Sequence, residues 1–154
     1  MKQSKLVCAI LVLTFSCSTS LVAQEKGNWR AASKNAKSIL GDITVAPEKL
    51  IVDFAGAFPI AQIRPLTPAE MGAAFDADTA AGGSGYLYRL SIPASRKFLG
   101  KNSLCGGDDT QWMATYVLGK SLQLAFFSGP TPPVFTPEAF ANPTNLCGVY
   151  AYVR

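Results

Sequence analysis

Leu-Cys-Gly occurs twice, at residues 104–106 and 146–148, and the pairing of its two cysteines constrains this chain more than any other feature. How those cysteines are read depends on the first 23 residues. Lys2 and Lys5 precede an apolar run over residues 6–15, a small and polar stretch covers 16–20, and Leu21-Val22-Ala23 leads into Gln24. Charged, apolar and small-residue regions in that order make a secretory signal peptide, with cleavage expected after Ala23. The apolar run of about ten residues falls short of the roughly 20 that cross a bilayer, so no stable membrane span is expected after cleavage. Lipid anchoring at Cys17 is the alternative. Against it, Phe15 sits beside that cleavage point and Thr14 stands where a lipoprotein signal usually has Leu.

Cleavage removes Cys8 and Cys17 with the signal and leaves one domain over residues 24–154 in a secreted or periplasmic compartment. Two cysteines in an oxidising compartment most often form one bridge, here Cys105–Cys147. Closing a loop of about 43 residues is worth about 4 kcal/mol in the chain-entropy account. The formal net charge of +4 falls by the two charges of Lys2 and Lys5, and the remaining cations are scattered. No basic stripe points to nucleic acid.

The pattern along the chain predicts strands. Residues 38–45 are rich in β-branched side chains and stop at Ala46-Pro47-Glu48. Residues 49–54 alternate, placing Leu50, Val52 and Phe54 on one face. Ala55-Gly56-Ala57 returns the chain into a third strand over 58–64. Thr67-Pro68-Ala69-Glu70 is a capping box with proline at the first helical position, so a helix of about two turns follows. Residues 79–85 read as a flexible loop rather than a phosphate cradle, because a strand follows them instead of a helix N-terminus. Residues 111–118 and 121–127 flank Gly119-Lys120, a turn suited to type II′. In this reading the face of Trp112, Ala114, Tyr116 and Leu118 packs with Leu122, Leu124 and Phe126. A proline-rich loop over 130–145 follows, with one helical turn at Thr136-Pro137-Glu138, and a last strand over 149–154. With a first strand near 29–32, the count is about eight strands and one or two short helices. The fold class is all-β, an antiparallel barrel or a two-sheet sandwich.

Gly27-Asn28-Trp29 at the first strand and Arg154 at the end of the last resemble the calycin pattern of lipocalin-type barrels. The resemblance implies that the indole packs against the arginine across the closed end, and that the mouth binds small apolar molecules. The helix departs from that pattern. It follows the fourth strand here, whereas lipocalins carry a long one after the eighth.

The chain contains no histidine, which removes the commonest general base and transition-metal ligand. Neither a metal site nor a cofactor is expected. Asp108-Asp109 reads as a turn before a strand, not as paired carboxylates, and Asp42 and Asp53 read as solvent-facing acids. The expectation is a non-enzymatic binding domain. A small apolar ligand would be lined by Tyr86, Tyr88, Trp112, Tyr116 and Phe126. The alternative is a protein-binding module, such as an inhibitor of an exported hydrolase in the manner of lysozyme inhibitors, with Phe135 and Phe140 of the stapled loop as exposed anchors. A purely structural envelope protein is a third reading.

Overall fold

The computed structural model describes residues 24–154. The expected signal peptide and the cysteines at 8 and 17 lie outside the described residues. Eight strands form one closed antiparallel barrel in sequential order: β1 (Gly27–Ala31), β2 (Ile43–Ala46), β3 (Lys49–Val52), β4 (Gly56–Pro65), β5 (Tyr86–Ile92), β6 (Thr110–Leu118), β7 (Ser121–Ser128) and β8 (Leu146–Val153). Closure decides between barrel and sandwich. β8 returns to β1 through the pairs Arg30–Val153 and Ala31–Tyr152. That seam is short, and the turn after β1 extends it. The amides of Ala32 and Ser33 donate to the Ala151 carbonyl, at 2.9 and 3.1 Å, and the Ala151 amide donates to Ser33 Oγ. The sheet therefore has no long free edge to recruit another chain.

Local chemistry places the helices. α1 (Pro68–Phe75) starts with the capping box read from the sequence: Glu70 N–H donates to Thr67 Oγ1 at 3.2 Å, and Thr67 N–H donates to Glu70 Oε2 at 2.8 Å. Arg64 on β4 pairs with both carboxylate oxygens of Glu70, at 2.8 and 2.9 Å. That guanidinium holds the Glu70 carboxyl below its usual range. α2 (Pro137–Ala141) is the single turn expected in the proline-rich loop, with Thr136 as its cap. Gly119 has a φ of +58°, as the first position of a type II′ hairpin turn requires, and Lys120 is not left-handed.

Four expectations need correction. Residues 38–40 are not strand. They belong to a π-helical turn, Ala36–Leu40, closed by the Gly41 amide on the Ala36 carbonyl at 2.8 Å. Burial of Ala36 and Leu40 outweighs the β propensity of this stretch. Phe54 does not share the inner face of Leu50 and Val52. The Ala55 amide turns back to the Val52 carbonyl, and Phe54 is left 75 % exposed. β8 begins at Leu146, so Cys147 lies within the strand. Finally, the Trp112 face of β6 does not pack with Leu122, Leu124 and Phe126. The pairs are Met113–Phe126, Thr115–Leu124 and Val117–Leu122, whereas Trp112 opposes Phe127. Both faces of β6 are apolar, so alternation alone could not tell inside from outside.

Two cores result. The inner one fills the barrel with Trp29, Ile43, Leu50, Tyr88, Met113, Leu122, Phe126, Tyr152 and their neighbours. The outer one lies between the β5–β7 wall and its cover, where Met71 and Phe75 of α1 and Phe135 of the proline-rich loop meet Leu87, Trp112 and Phe127.

Candidate functional site

Antiparallel alternation puts the amino-terminal residues, the β2–β3 turn and the β6–β7 turn at one end of the barrel, the floor. The π-helical turn and the β5–β6 and β7–β8 loops lie at the other, the lid. Ala36 and Leu40 from the π-helical turn and Phe98 and Leu104 from the β5–β6 loop all join the inner core. Cys105 and Cys147 pack against it, bonded to each other with their Cα atoms 4.9 Å apart. The staple expected from the sequence thus fastens the β5–β6 loop to β8 at the lid.

The floor is polar and fully bonded. Glu25, two residues before β1, is 0 % exposed, with its carboxylate inside the barrel. Tyr88 OH donates to Oε1 and Thr115 Oγ1 donates to Oε2 at 2.7 Å. Thr115 Oγ1 in turn accepts the Tyr86 amide at 3.1 Å, and Tyr88 OH accepts from Lys26 Nζ at 3.2 Å. The Lys26 ammonium stands 4.0 Å from the carboxylate. A buried carboxylate persists only when its lone pairs are taken up in this way. Burial, and then the Glu25 carboxylate, push the Tyr88 hydroxyl far above the usual tyrosine value.

The main chain here is held as well. Arg154 donates to the Gln24 carbonyl at 2.8 Å and to the Lys26 carbonyl at 3.0 Å, while Trp29 Nε1 donates to the Glu25 carbonyl at 2.7 Å. The Arg154 guanidinium sits 4.2 Å from the Trp29 ring centre. Three consecutive carbonyls are therefore gripped by the two side chains that carry the calycin-like pattern.

The five aromatic residues expected to line one pocket do not come together. Tyr88 and Phe126 are inside with Tyr86 packed against them, but Trp112 and Tyr116 are in the outer core. Trp112 faces outward under the Arg89 guanidinium, 4.5 Å from its ring centre, and Tyr116 stacks on Phe75 of α1. Nor is the interior an open chamber. Leu50, Tyr88, Met113, Val117, Leu122, Leu124 and Phe126 retain no accessible surface. A side chain bordering a water-sized void would keep some, so none adjoins these seven. Tyr152 is the one buried side chain whose polar atom, its hydroxyl, lacks a hydrogen-bond partner among the described residues.

Phe135 and Phe140 are not exposed anchors. Phe135 is buried, Phe140 is half-buried, and both meet Phe127 edge-on with ring centres 5.9 and 6.1 Å apart. Val134 is instead the exposed apolar residue of this loop, at 65 %. It borders a cleft of about 230 Å³ whose walls mix apolar Phe127, Phe140 and Leu146 with polar Asn142, Thr144 and Asn145.

Asp109 Oδ1 accepts the Ala94 amide at 2.8 Å and Asp42 Oδ1 accepts the Ala31 amide at 2.8 Å, so both tie loops. Asp108 and Asp53 are exposed. Among the described residues no three Cys, Asp or Glu side chains are grouped to hold a metal ion, and no helix is long and apolar enough to cross a membrane. The glycine-rich stretch serves close packing. A Cβ on Gly85 would lie 2.2 Å from the Thr115 carbonyl oxygen.

No protein-family model, no curated protein and no solved structure matches this chain.

Proposed function

We propose that the chain is an exported, non-catalytic binding module of calycin type, which receives an apolar side chain of an exported partner protein in the cleft beside Val134 and Phe140. The observation that carries this reading is the filled interior, stopped by Glu25 at the floor and Leu40 at the lid. It turns attention from the barrel's inside to its outer wall. The cleft of about 230 Å³ lies below the 300–1,000 Å³ of small-molecule pockets, a size that favours a single side chain. Its walls are preorganised by prolines and by the Cys105–Cys147 bond at the base of the loop, which lowers the entropy cost of binding. The Trp29–Arg154 contact supports the calycin-type reading, and the sequence of residues 1–23 supports export with cleavage after Ala23. An exported hydrolase is one partner of this kind.

A small apolar molecule held inside the barrel is the second reading. The observation favouring it is the buried Tyr152 hydroxyl, which would meet one polar atom of such a ligand.

A photo-crosslinking residue at Val134, expressed in the native host, tests the first reading against the same residue at Ile63, an exposed apolar position on β4. The expected result is a single protein adduct at 134, absent at 63 and lost on Phe140→Asp. Equal labelling at both positions, or none at 134, overturns it.

A further inference from the structure

The floor grips backbone carbonyls, not the side chain of the residue that would become the amino terminus. Gln24 is exposed, and Arg154 reaches only its carbonyl oxygen. We propose that Gln24 is a modification site: once it is the terminal residue, its α-amine closes on its own side-chain carboxamide to give a pyroglutamyl terminus. This rests on the reading that cleavage falls after Ala23. The amine nitrogen bonds to Cδ, the bond from Cδ to Nε2 breaks, and Nε2 leaves as ammonia carrying the proton the amine gives up. No oxidant or other reactant is consumed. The backbone carbonyl that Arg154 holds takes no part, so the clamp survives the reaction.

The floor's electrostatics favour the cyclised form. A free terminus would place an α-ammonium on the residue whose carbonyl the Arg154 guanidinium already contacts at 2.8 Å. The Glu25 carboxylate is buried and engaged by Tyr88 and Thr115, so it is not free to pair with that ammonium. The lactam is neutral and removes the positive charge that a free amine would add beside the Arg154 guanidinium.

The consequence is protective. Glu25 is the next residue in the chain, and an aminopeptidase that removed two residues would strip the carboxylate from the barrel and leave two buried hydroxyls only their longer contacts to Gln62 and the Tyr86 carbonyl. A lactam offers such an enzyme no amine. The modification thus guards the plug that closes the floor.

The test uses the full precursor expressed in its native host, with the exported product quenched in acid and its amino-terminal peptide measured by tandem mass spectrometry. The expected terminus is residue 24, about 17 Da lighter than the unmodified peptide and resistant to aminopeptidase. Gln24→Asn, one methylene shorter, cannot close the five-membered ring. It should keep its amine and lose residues 24 and 25 at least tenfold faster. A residue-24 terminus that keeps a free amine through days at neutral pH overturns the modification while leaving the cleavage reading intact. A terminus at another residue overturns both, and the measured position tells the two failures apart.

Discussion

Replacing Glu25 by alanine should cost this protein a large share of its stability, although the residue precedes the first strand. Its carboxylate accepts from Tyr88 OH and from Thr115 Oγ1, and both donors are fully buried. A hydrogen bond to a charged group is worth about 1.5–3 kcal/mol, and removing one partner leaves the other to carry its desolvation cost. Lys26 is partly exposed and can turn to water, so its loss of a partner adds little. Each hydroxyl keeps a longer second acceptor, Gln62 Oε1 at 3.4 Å for Tyr88 and the Tyr86 carbonyl at 3.5 Å for Thr115, so the expected penalty is about 2–4 kcal/mol. For a domain of this size that lowers Tm by about 10–20 °C. Urea unfolding followed by the fluorescence of Trp29 and Trp112 measures it. A double-mutant cycle with Thr115→Val isolates one bond, and a coupling of about 1–3 kcal/mol is expected. A loss below about 1 kcal/mol for Glu25→Ala, or no coupling to Thr115, refutes the reasoning that the carboxylate is a structural member of the barrel.

Arg154→Met should cost about 1–2 kcal/mol, from the stacking on Trp29 and the two carbonyl bonds of an exposed guanidinium, and thermal melts read it directly. Cys105→Ser should cost about 2–4 kcal/mol in oxidising buffer, and reductant should then lower the wild-type Tm but not that of the variant. Gly85→Ala should lose about 1–3 kcal/mol or fail to fold, because the added methyl meets the Thr115 carbonyl. Base should unfold the protein steeply. Burial raises the Tyr88, Tyr150 and Tyr152 hydroxyls, so the unfolded chain ionises first. The stability they contribute is whole below the unfolded value near pH 10 and is lost as pH rises through the folded values. Each contributes a slope of about 1.4 kcal/mol per pH unit there, and Tyr88→Phe should flatten the profile.

Features governed by local chemistry were legible in the sequence. The capping box at Thr67 and Glu70, the Gly119-Lys120 hairpin and the Cys105–Cys147 staple each depend on a few adjacent residues or on a compartment, and each is where the residues place it. What failed depends on the second face of a strand or on distant contacts. Trp112 and Tyr116 looked like lining because they alternate with Met113 and Thr115, yet the outer wall carries its own core under α1. Phe135 is buried because it is itself part of the cover that buries them. Phe54 continues an apolar alternation beyond the point where hydrogen bonding turns the chain. Glu25 was missed altogether. An acid beside lysine near a terminus reads as solvent-facing, and only the inward hydroxyls of Tyr88 and Thr115, some 60 and 90 residues away, show otherwise. The one available signal was its place two residues ahead of Gly27-Asn28-Trp29, where the chain must cross the closed end of a barrel.

The barrel is filled and closed by its own chain, which is why the proposed binding site lies on the outer wall. Native mass spectrometry of the protein purified without denaturation from its host tests this most directly. The account predicts the mass of the disulfide-bonded polypeptide alone, unchanged after unfolding and refolding. A small apolar molecule co-purifying in stoichiometric amount, and released only on unfolding, would contradict it.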